Sequence, residues 1–304
     1  MQAVPAAGAT PALGSARAAV TRDYVALTKP RIMSLLVLTS VCAMLAAAGG
    51  TPPPLALVAL VVGGALACGG ASALNHVLDR DIDRLMGART CSRPVAAGRI
   101  APARAAAFGI ALSALSFVIL TAFDNLLAAG LALSGGAFYV LVYTLWLKRS
   151  TTQNIVIGGA AGAIPPLAGW AAARGSLGLG AAFLFVIVLV WTPPHFWALA
   201  LLLAPQYEAA RIPMLPVVRG PAATARQVLG YTLVLMVLTL VPGVTGTFGP
   251  VYLVCAGLLG GVFCILAWRL WRRSDAARAA VLFHYSLLYL ALLFVAVAVD
   301  AALR

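Results

Sequence analysis

Residues 75–94, NHVLDRDIDRLMGARTCSRP, carry three aspartates and four arginines in a chain that is otherwise mostly Ala, Leu, Val and Gly. No proline interrupts the sequence between Leu55 and Pro94, so a helix entering this stretch can run on to a stop near Gly87. On such a helix Asn75, Asp79 and Asp83 stand at i, i+4 and i+8. Each step drifts by only about 40° and rises about 6 Å, so the three oxygen-bearing side chains form one stripe. Asp81 lies about 200° away from Asp79 and is expected to pair with Arg84 or face solvent. Two carboxylates and an amide, without histidine or thiolate in the stripe, are hard ligands suited to Mg²⁺. Magnesium takes phosphate oxygens as its remaining partners, and Arg89 and Arg93 offer forked donors that match phosphate geometry. With Lys148 and Arg149 on the same side, the patch reads as a cradle for a magnesium-bound phosphate or diphosphate. Its competitor is an ordinary solvated loop whose arginines set topology. The spacing of the acids favours a site, because acids contribute little to membrane orientation.

The elements that must position this stripe are membrane helices. At 62% hydrophobic, 10% charged and mean hydropathy +1.00, the composition is far from that of a soluble domain, which carries about 25% charged residues. Apolar runs long enough to cross a hydrocarbon core fall near 32–49, 55–78, 104–122, 125–147, 154–173, 179–203, 228–247, 250–270 and 281–299. The short alternating strands of a membrane barrel do not occur, so the expected class is all-α, a bundle of nine transmembrane helices. The net charge of +13 could suggest a nucleic-acid partner, but its distribution argues for a membrane surface instead. With nine spans, 19 of the 21 basic residues gather on one side, and only Arg174 and Arg304 fall on the other. The positive-inside rule then puts the amino terminus inside and the carboxyl terminus outside. A transporter would carry ionisable groups along its spans, whereas here the acids collect at one face.

The five cysteines have no metal-type spacing, and four lie within spans as small packing residues. Residues 1–24 are expected to be a disordered tail ahead of a single transmembrane domain, 25–304. The tail lacks the apolar core of a secretory signal; being basic and free of acids before Asp23, it also fits a mitochondrial transit peptide. The glycine-rich stretches 63–72 and 158–169 lie inside apolar spans, where small residues permit close helix approach.

NHVLDRDID resembles the Asn-x-x-x-Asp-x-x-x-Asp motif of the UbiA superfamily of intramembrane prenyltransferases. LTKPRIMSLLVLTS (27–40), RTCSRPVAAGRI (89–100), YTLWLKRSTTQNIVIGGAAGAIPPLAGWAA (143–172), WTPPHFWALAL (191–201) and IPMLPVVRG (212–220) resemble, more narrowly, its heme O synthase branch. The resemblance implies a nine-helix fold with its active face on the cytoplasmic side of a membrane, in bacteria the inner membrane. It implies farnesyl diphosphate as donor, heme B as acceptor, Mg²⁺ as cofactor, and a heme A synthase or oxidase assembly factor as partner. Carried onto this chain, it gives Asp79, Asp83 and Lys148 catalytic roles, with Asn75 beside the two aspartates at the metal. Asn75, Arg89, Arg93, Lys148 and Tyr207 would hold diphosphate. A prenyltransferase for an aromatic quinone precursor is the alternative within the superfamily.

Two departures from the pattern matter. MGART holds one residue more than the usual Met-x-Arg-Thr, which turns Arg89 by about 100° unless a turn at Gly87 absorbs it. In the loop before IPMLPVV the family has Asp-Asp-Tyr, its second metal and diphosphate locus. Here Pro205 and Gln206 take the aspartate positions, Tyr207 matches, and Glu208 follows as the candidate replacement ligand. For the heme, Trp170 in IPPLAGW and His195 in WTPPHFW are the candidate contacts, with His284 expected to serve packing or hydrogen bonding.

Overall fold

The computed structural model describes residues 13–304, without the side chains of residues 13–17 and Arg89. Among the described residues nine helices are long and apolar enough to cross a membrane: Pro30–Ala48, Pro54–Leu78, Pro102–Phe123, Leu126–Ser150, Asn154–Arg174, Leu179–Leu202, Leu215–Val244, Pro250–Arg272 and Ala276–Ala302. They are numbered here as spans one to nine.

Local chemistry sets the boundaries. Prolines stand in the first turn of the first, second, third, seventh and eighth spans, where a missing N–H leaves no helical bond unmade. Gly49 and Gly175, with φ of 61° and 66°, close the first and fifth spans in the left-handed conformation. Asn125 and Asp275 cap the fourth and ninth by accepting from the backbone N–H of Ala128 and Arg278. Asp300, buried in the ninth span, accepts from the N–H groups of Gly249 and Tyr252 and so caps the eighth.

The second and third spans pack together, the first packs on the fifth and ninth, and the sixth lies among the fifth, seventh and ninth. Glycine permits the close approaches expected of it. A Cβ on Gly169 would collide with the backbone carbonyl of Ser40 in the first span, and one on Gly70 would sit 2.6 Å from the carbonyl of Gly109 in the third. Large apolar side chains such as Val118, Leu141, Val237 and Leu258 stay exposed on the outer faces, as expected where the solvent is hydrocarbon rather than water.

Four expectations need correction. Residues 13–24 are not irregular: they belong to a helix, Leu13–Thr28, while residues 1–12 of the expected tail lie outside the described residues. The helix of the seventh span begins at Leu215 rather than near 228, in a short piece that a kink at Gly220, φ 78° and ψ 168°, separates from the helix running on to Val244. The helix of the second span ends at Leu78; Asp79 breaks it with φ −89° and ψ 4°, and a separate short helix, Arg80–Leu85, follows. Hydrogen bonds from Asp79 N to Asn75 O and from Asp83 N to Asp79 O still bridge this break, so the stripe keeps its helical register. Finally, Asp81 pairs with Arg149 through both guanidinium nitrogens, at 2.7 and 2.8 Å, and not with Arg84, which donates to the carbonyl of Ala96.

Candidate active site

Asn75, Asp79 and Asp83 point into the protein, at 2%, 1% and 1% exposure. Three cations from other segments converge on them. Lys148 donates to Asp79 Oδ2 at 2.5 Å, Arg93 to Asp83 Oδ1 at 2.6 Å, and Lys29 to Asn75 Oδ1 at 2.8 Å. Asn75 spends its amide hydrogens on Asp79 Oδ2 at 2.7 Å and Thr144 Oγ1 at 3.1 Å. Lysine can only donate, so the atom facing Lys29 is the amide oxygen. The Asn75 oxygen thus faces Lys29 with one lone pair still free for a metal, and its amide orients Asp79.

The fourth span supplies Lys148 and Thr144 from an unusual stretch. Residues Phe138–Leu147 form a π-helix, a geometry that gathers at functional sites. Thr144 donates to the carbonyl of Tyr139, five residues back, while accepting from Asn75. Arg149, at the end of the same span, has a nitrogen 3.9 Å from Asp79 Oδ1 and hydrogen-bonds the carbonyl of Leu78. The second and fourth spans are thereby latched at their charged ends.

Lys29 is the member that spacing did not reveal as part of the site. It precedes Pro30 and adopts φ 51°, ψ 60°, a left-handed conformation that costs a non-glycine residue about 1–2 kcal/mol. Ser72 holds the preceding turn by donating to Leu27 O at 2.7 Å, and Asn75 holds the ammonium. Burial, reinforced by the charges of Arg93 and Lys148, pulls the Lys29 pKa down to about 7. A lysine before a proline, at the mouth of a span on the same side as the stripe, was the available signal.

Burial pushes the Asp83 carboxyl up against the pull of Arg93, with the Asp79 charge adding to the rise. Each aspartate keeps one oxygen, Asp79 Oδ1 and Asp83 Oδ2, buried without a hydrogen-bond partner. Orphaned carboxylate oxygens normally carry a desolvation cost of several kcal/mol. Two of them beside three cations form an all-oxygen donor pair that fits a hard divalent ion carrying an anionic ligand.

Other expected members are placed less uniformly. Tyr207, in the short helix Ala204–Ala209, is half-buried and near enough to Asp79 and Arg93 for their charges to act on its hydroxyl; burial raises its pKa to about 12. Glu208, next to it, is exposed, and among the described residues its side chain makes no hydrogen bond or ion pair. No third His, Cys, Asp or Glu joins the aspartates in a metal-binding group among the described residues. Gly87, at φ 100°, does provide the turn that the extra residue in MGART demands. The side chain of Arg89 lies outside the described residues.

Trp170 is separated from this cluster. It sits near the Arg174 end of the fifth span, packed on Gly180, and about 24 Å of helix divides it from the Asn154 end. His195 is about 10 Å below the end of the sixth span at Leu202. Its ring is stacked between Trp191 and Phe283, with centroids 4.3 and 5.0 Å away, and Nδ1 lies 2.7 Å from Ser286 Oγ. His284 is exposed and bonded through Nδ1 to the carbonyl of Ala280.

Known proteins resemble the chain in sequence and in fold. The profile of the UbiA prenyltransferase family matches residues 36–296. A protoheme IX farnesyltransferase of Gloeobacter violaceus is 54% identical over 284 residues, 93% of each chain. Its counterpart in Brucella anthropi is 48% identical, covering 93% of this chain and 91% of that one. A longer relative of the same name from Roseiflexus sp. is 50% identical, and the chain spans 52% of its length. Among solved structures, a digeranylgeranylglyceryl phosphate synthase superposes with a TM-score of 0.77 at 18% identity, covering 93% of this chain and 99% of that one. A UbiA homolog from Archaeoglobus fulgidus bound to GPP and Mg²⁺ gives 0.69 at 17% identity, over 90% and 99% of the two chains. Nine apolar helices bring two buried aspartates and their counter-charges to one end of the bundle, and the family profile runs through nearly all of them: the chain belongs to the UbiA prenyltransferase family.

Proposed function

We propose that this chain transfers the farnesyl group of farnesyl diphosphate to the vinyl group of heme B, giving heme O for heme–copper oxidases. One observation carries the proposal: Asp79 and Asp83 each hold a buried oxygen without a hydrogen-bond partner, amid Lys29, Arg93 and Lys148. The full-length similarity to farnesyltransferases of protoheme IX supports the choice of donor and acceptor. By the positive-inside rule the site faces the cytoplasm, in a bacterial inner membrane.

Asp79 Oδ1 and Asp83 Oδ2 would hold Mg²⁺, which when bound supplies Lewis-acid neutralisation of a leaving diphosphate. The protein does the rest. Lys148, Arg93 and Lys29 face the charge that grows on the bridging oxygen as the farnesyl C1–O bond breaks and its electron pair departs with diphosphate. Asn75 and Thr144 keep Asp79 from rotating away. Tyr207 offers a hydroxyl that remains protonated at neutral pH, a donor for a diphosphate oxygen. The isoprenoid lies among apolar spans, where water cannot capture the allylic cation early. The cation forms a carbon–carbon bond at the terminal vinyl carbon, and water then adds to the carbon next to the ring and releases a proton.

His195 is suited to the acceptor. Ser286 sends its one hydroxyl hydrogen to Phe283 O at 2.7 Å. His195 Nδ1 therefore carries the proton it shares with Ser286, which leaves the Nε2 lone pair for heme iron. The test is incubation of purified protein with heme B, an aromatic quinone precursor, farnesyl diphosphate and Mg²⁺, followed by mass analysis. A porphyrin gaining farnesyl plus a hydroxyl group is expected; prenylation of the aromatic acceptor alone would overturn the assignment.

A further inference from the structure

A second concentration of charge lies away from this cluster, where the eighth span ends and the ninth begins. Arg269, Arg272, Arg273 and Arg278 surround an open groove of about 590 Å³ whose walls include Leu266 and Val281. The one carboxylate nearby, Asp275, is taken by Arg278 and by capping the ninth span. The side chains of Arg269, Arg272 and Arg273 make no ion pair or hydrogen bond among the described residues. The groove thus holds three guanidinium groups without a directly bonded carboxylate, and Asp275 acts on Arg273 only at a distance.

Topology alone explains why arginines stand at this end of the bundle, and a helix C-terminus favours them. It does not explain why they close around one groove with apolar walls. Val281 and Trp268 are 55% and 49% exposed and belong to the outer face of their spans, so the groove is open to acyl chains from the side and to phosphate from the end. Trp268 and Trp271, 4.8 Å apart, supply amphipathic rings at the depth where such rings favour the membrane interface. The Asp79 cluster draws on the first, second and fourth spans and the loop that carries Arg93, and none of its residues lines the groove.

We propose that this groove binds the headgroup of an acidic phospholipid from the surrounding membrane, a doubly phosphorylated one best. Two phosphates can engage Arg269, Arg272 and Arg273 together, each guanidinium offering a fork that matches phosphate oxygens. The acyl chains rest against Leu266 and Val281. A soluble phosphate finds the same donors but gains nothing from the walls. A zwitterionic headgroup brings its own cation into a site that already holds three.

Native mass spectrometry of the delipidated full chain tests this, with cardiolipin, phosphatidylglycerol, phosphatidylethanolamine or inorganic phosphate added separately. Cardiolipin adducts are expected to be strongest, phosphatidylglycerol weaker, and the other two absent at matched concentration. R272Q/R273Q should weaken cardiolipin binding about 25-fold, about fivefold per arginine, while leaving farnesyl transfer in detergent unchanged. R272K/R273K, which keeps the charge and guards against a folding defect, should bind within about fivefold of wild type. Wild-type cardiolipin retention in a folded R272Q/R273Q, equal binding of phosphatidylethanolamine, or displacement of cardiolipin by equimolar inorganic phosphate would each overturn the proposal.

Discussion

Asp83→Asn separates the chemistry of the site from its stability. The substitution keeps shape and removes one negative charge from a side chain that is 1% exposed. Arg93 loses its 2.6 Å partner, but its side chain is 31% exposed and can turn to water; a pair of that kind is worth about 1 kcal/mol or less. Against that loss stands the cost of burying the carboxylate, which outweighs the pull of Arg93, since the Asp83 pKa is raised. The net is a variant no less stable than wild type, within about 1 kcal/mol, or a few degrees in melting temperature for a chain of this size. A raised folded pKa means that ionisation destabilises the native state. The wild-type deficit is therefore absent below the ordinary carboxylate pKa of about 4, grows as pH rises, and is complete above the folded pKa. Mg²⁺ reverses the order: at a hundredfold excess over its dissociation constant it adds about 2.7 kcal/mol to a protein that binds it. Wild type should melt higher with Mg²⁺, and Asp83→Asn should not. Turnover, read by mass analysis of the porphyrin, should fall at least about 100-fold, the scale of losing one preorganised electrostatic group. Turnover within tenfold of wild type, or the same Mg²⁺-dependent rise in melting temperature, would refute the assignment of Asp83.

The remaining expectations are more local. Lys29→Gln should raise KM for farnesyl diphosphate about tenfold. In wild type, diphosphate binding draws a proton onto Lys29, so affinity should strengthen as pH falls through about 7, and the variant should lose that slope. Glu208→Gln should leave the Mg²⁺ titration of turnover unchanged, because Glu208 is exposed beside the cluster and not within it; an increased Mg²⁺ requirement would restore it as a ligand. Asp124, between the third and fourth spans, has both carboxylate oxygens buried without partners, and burial raises its pKa to about 6. Its ionisation opposes folding, so wild-type stability should fall as pH rises from about 4 to 6. Asp124→Asn should flatten that fall, by on the order of 1 kcal/mol. Melting curves across that range in detergent measure it.

The spans were legible because hydrocarbon tolerates only long uninterrupted apolar helices, and because basic residues must then alternate from loop to loop. Their limits were less legible where helix continues beyond the hydrocarbon: Arg219, Gly220, Pro221 and Arg226 make residues 215–227 resemble a loop, yet helix occupies them on both sides of the kink at Gly220. The stripe was legible through a local rule, since i and i+4 share a helix face even across the break at Asp79. Helix arithmetic also sets Trp170 about 24 Å along the fifth span from the Asn154 end, so any heme contact it makes lies away from the charged cluster.

A periodic rule says which residues share a face and nothing about what that face meets. Lys29, Thr144 and Arg149 reach the stripe from the first and fourth spans. In the sequence Arg149 counted only as a cation on the right side of the membrane, Lys29 had no assigned role at the site, and Thr144 was one more small residue in an apolar run. Yet the stripe by itself would be unstable: two carboxylates and an amide, all nearly sealed from water, repel or strand one another. Burial of such a stripe requires cations from elsewhere in the bundle, and only basic residues at the same membrane face are available. A buried acidic stripe at the basic end of a bundle therefore turns the nearest topology-setting lysines and arginines into candidates for the site. That inference would have pointed to Lys29 before any coordinates existed.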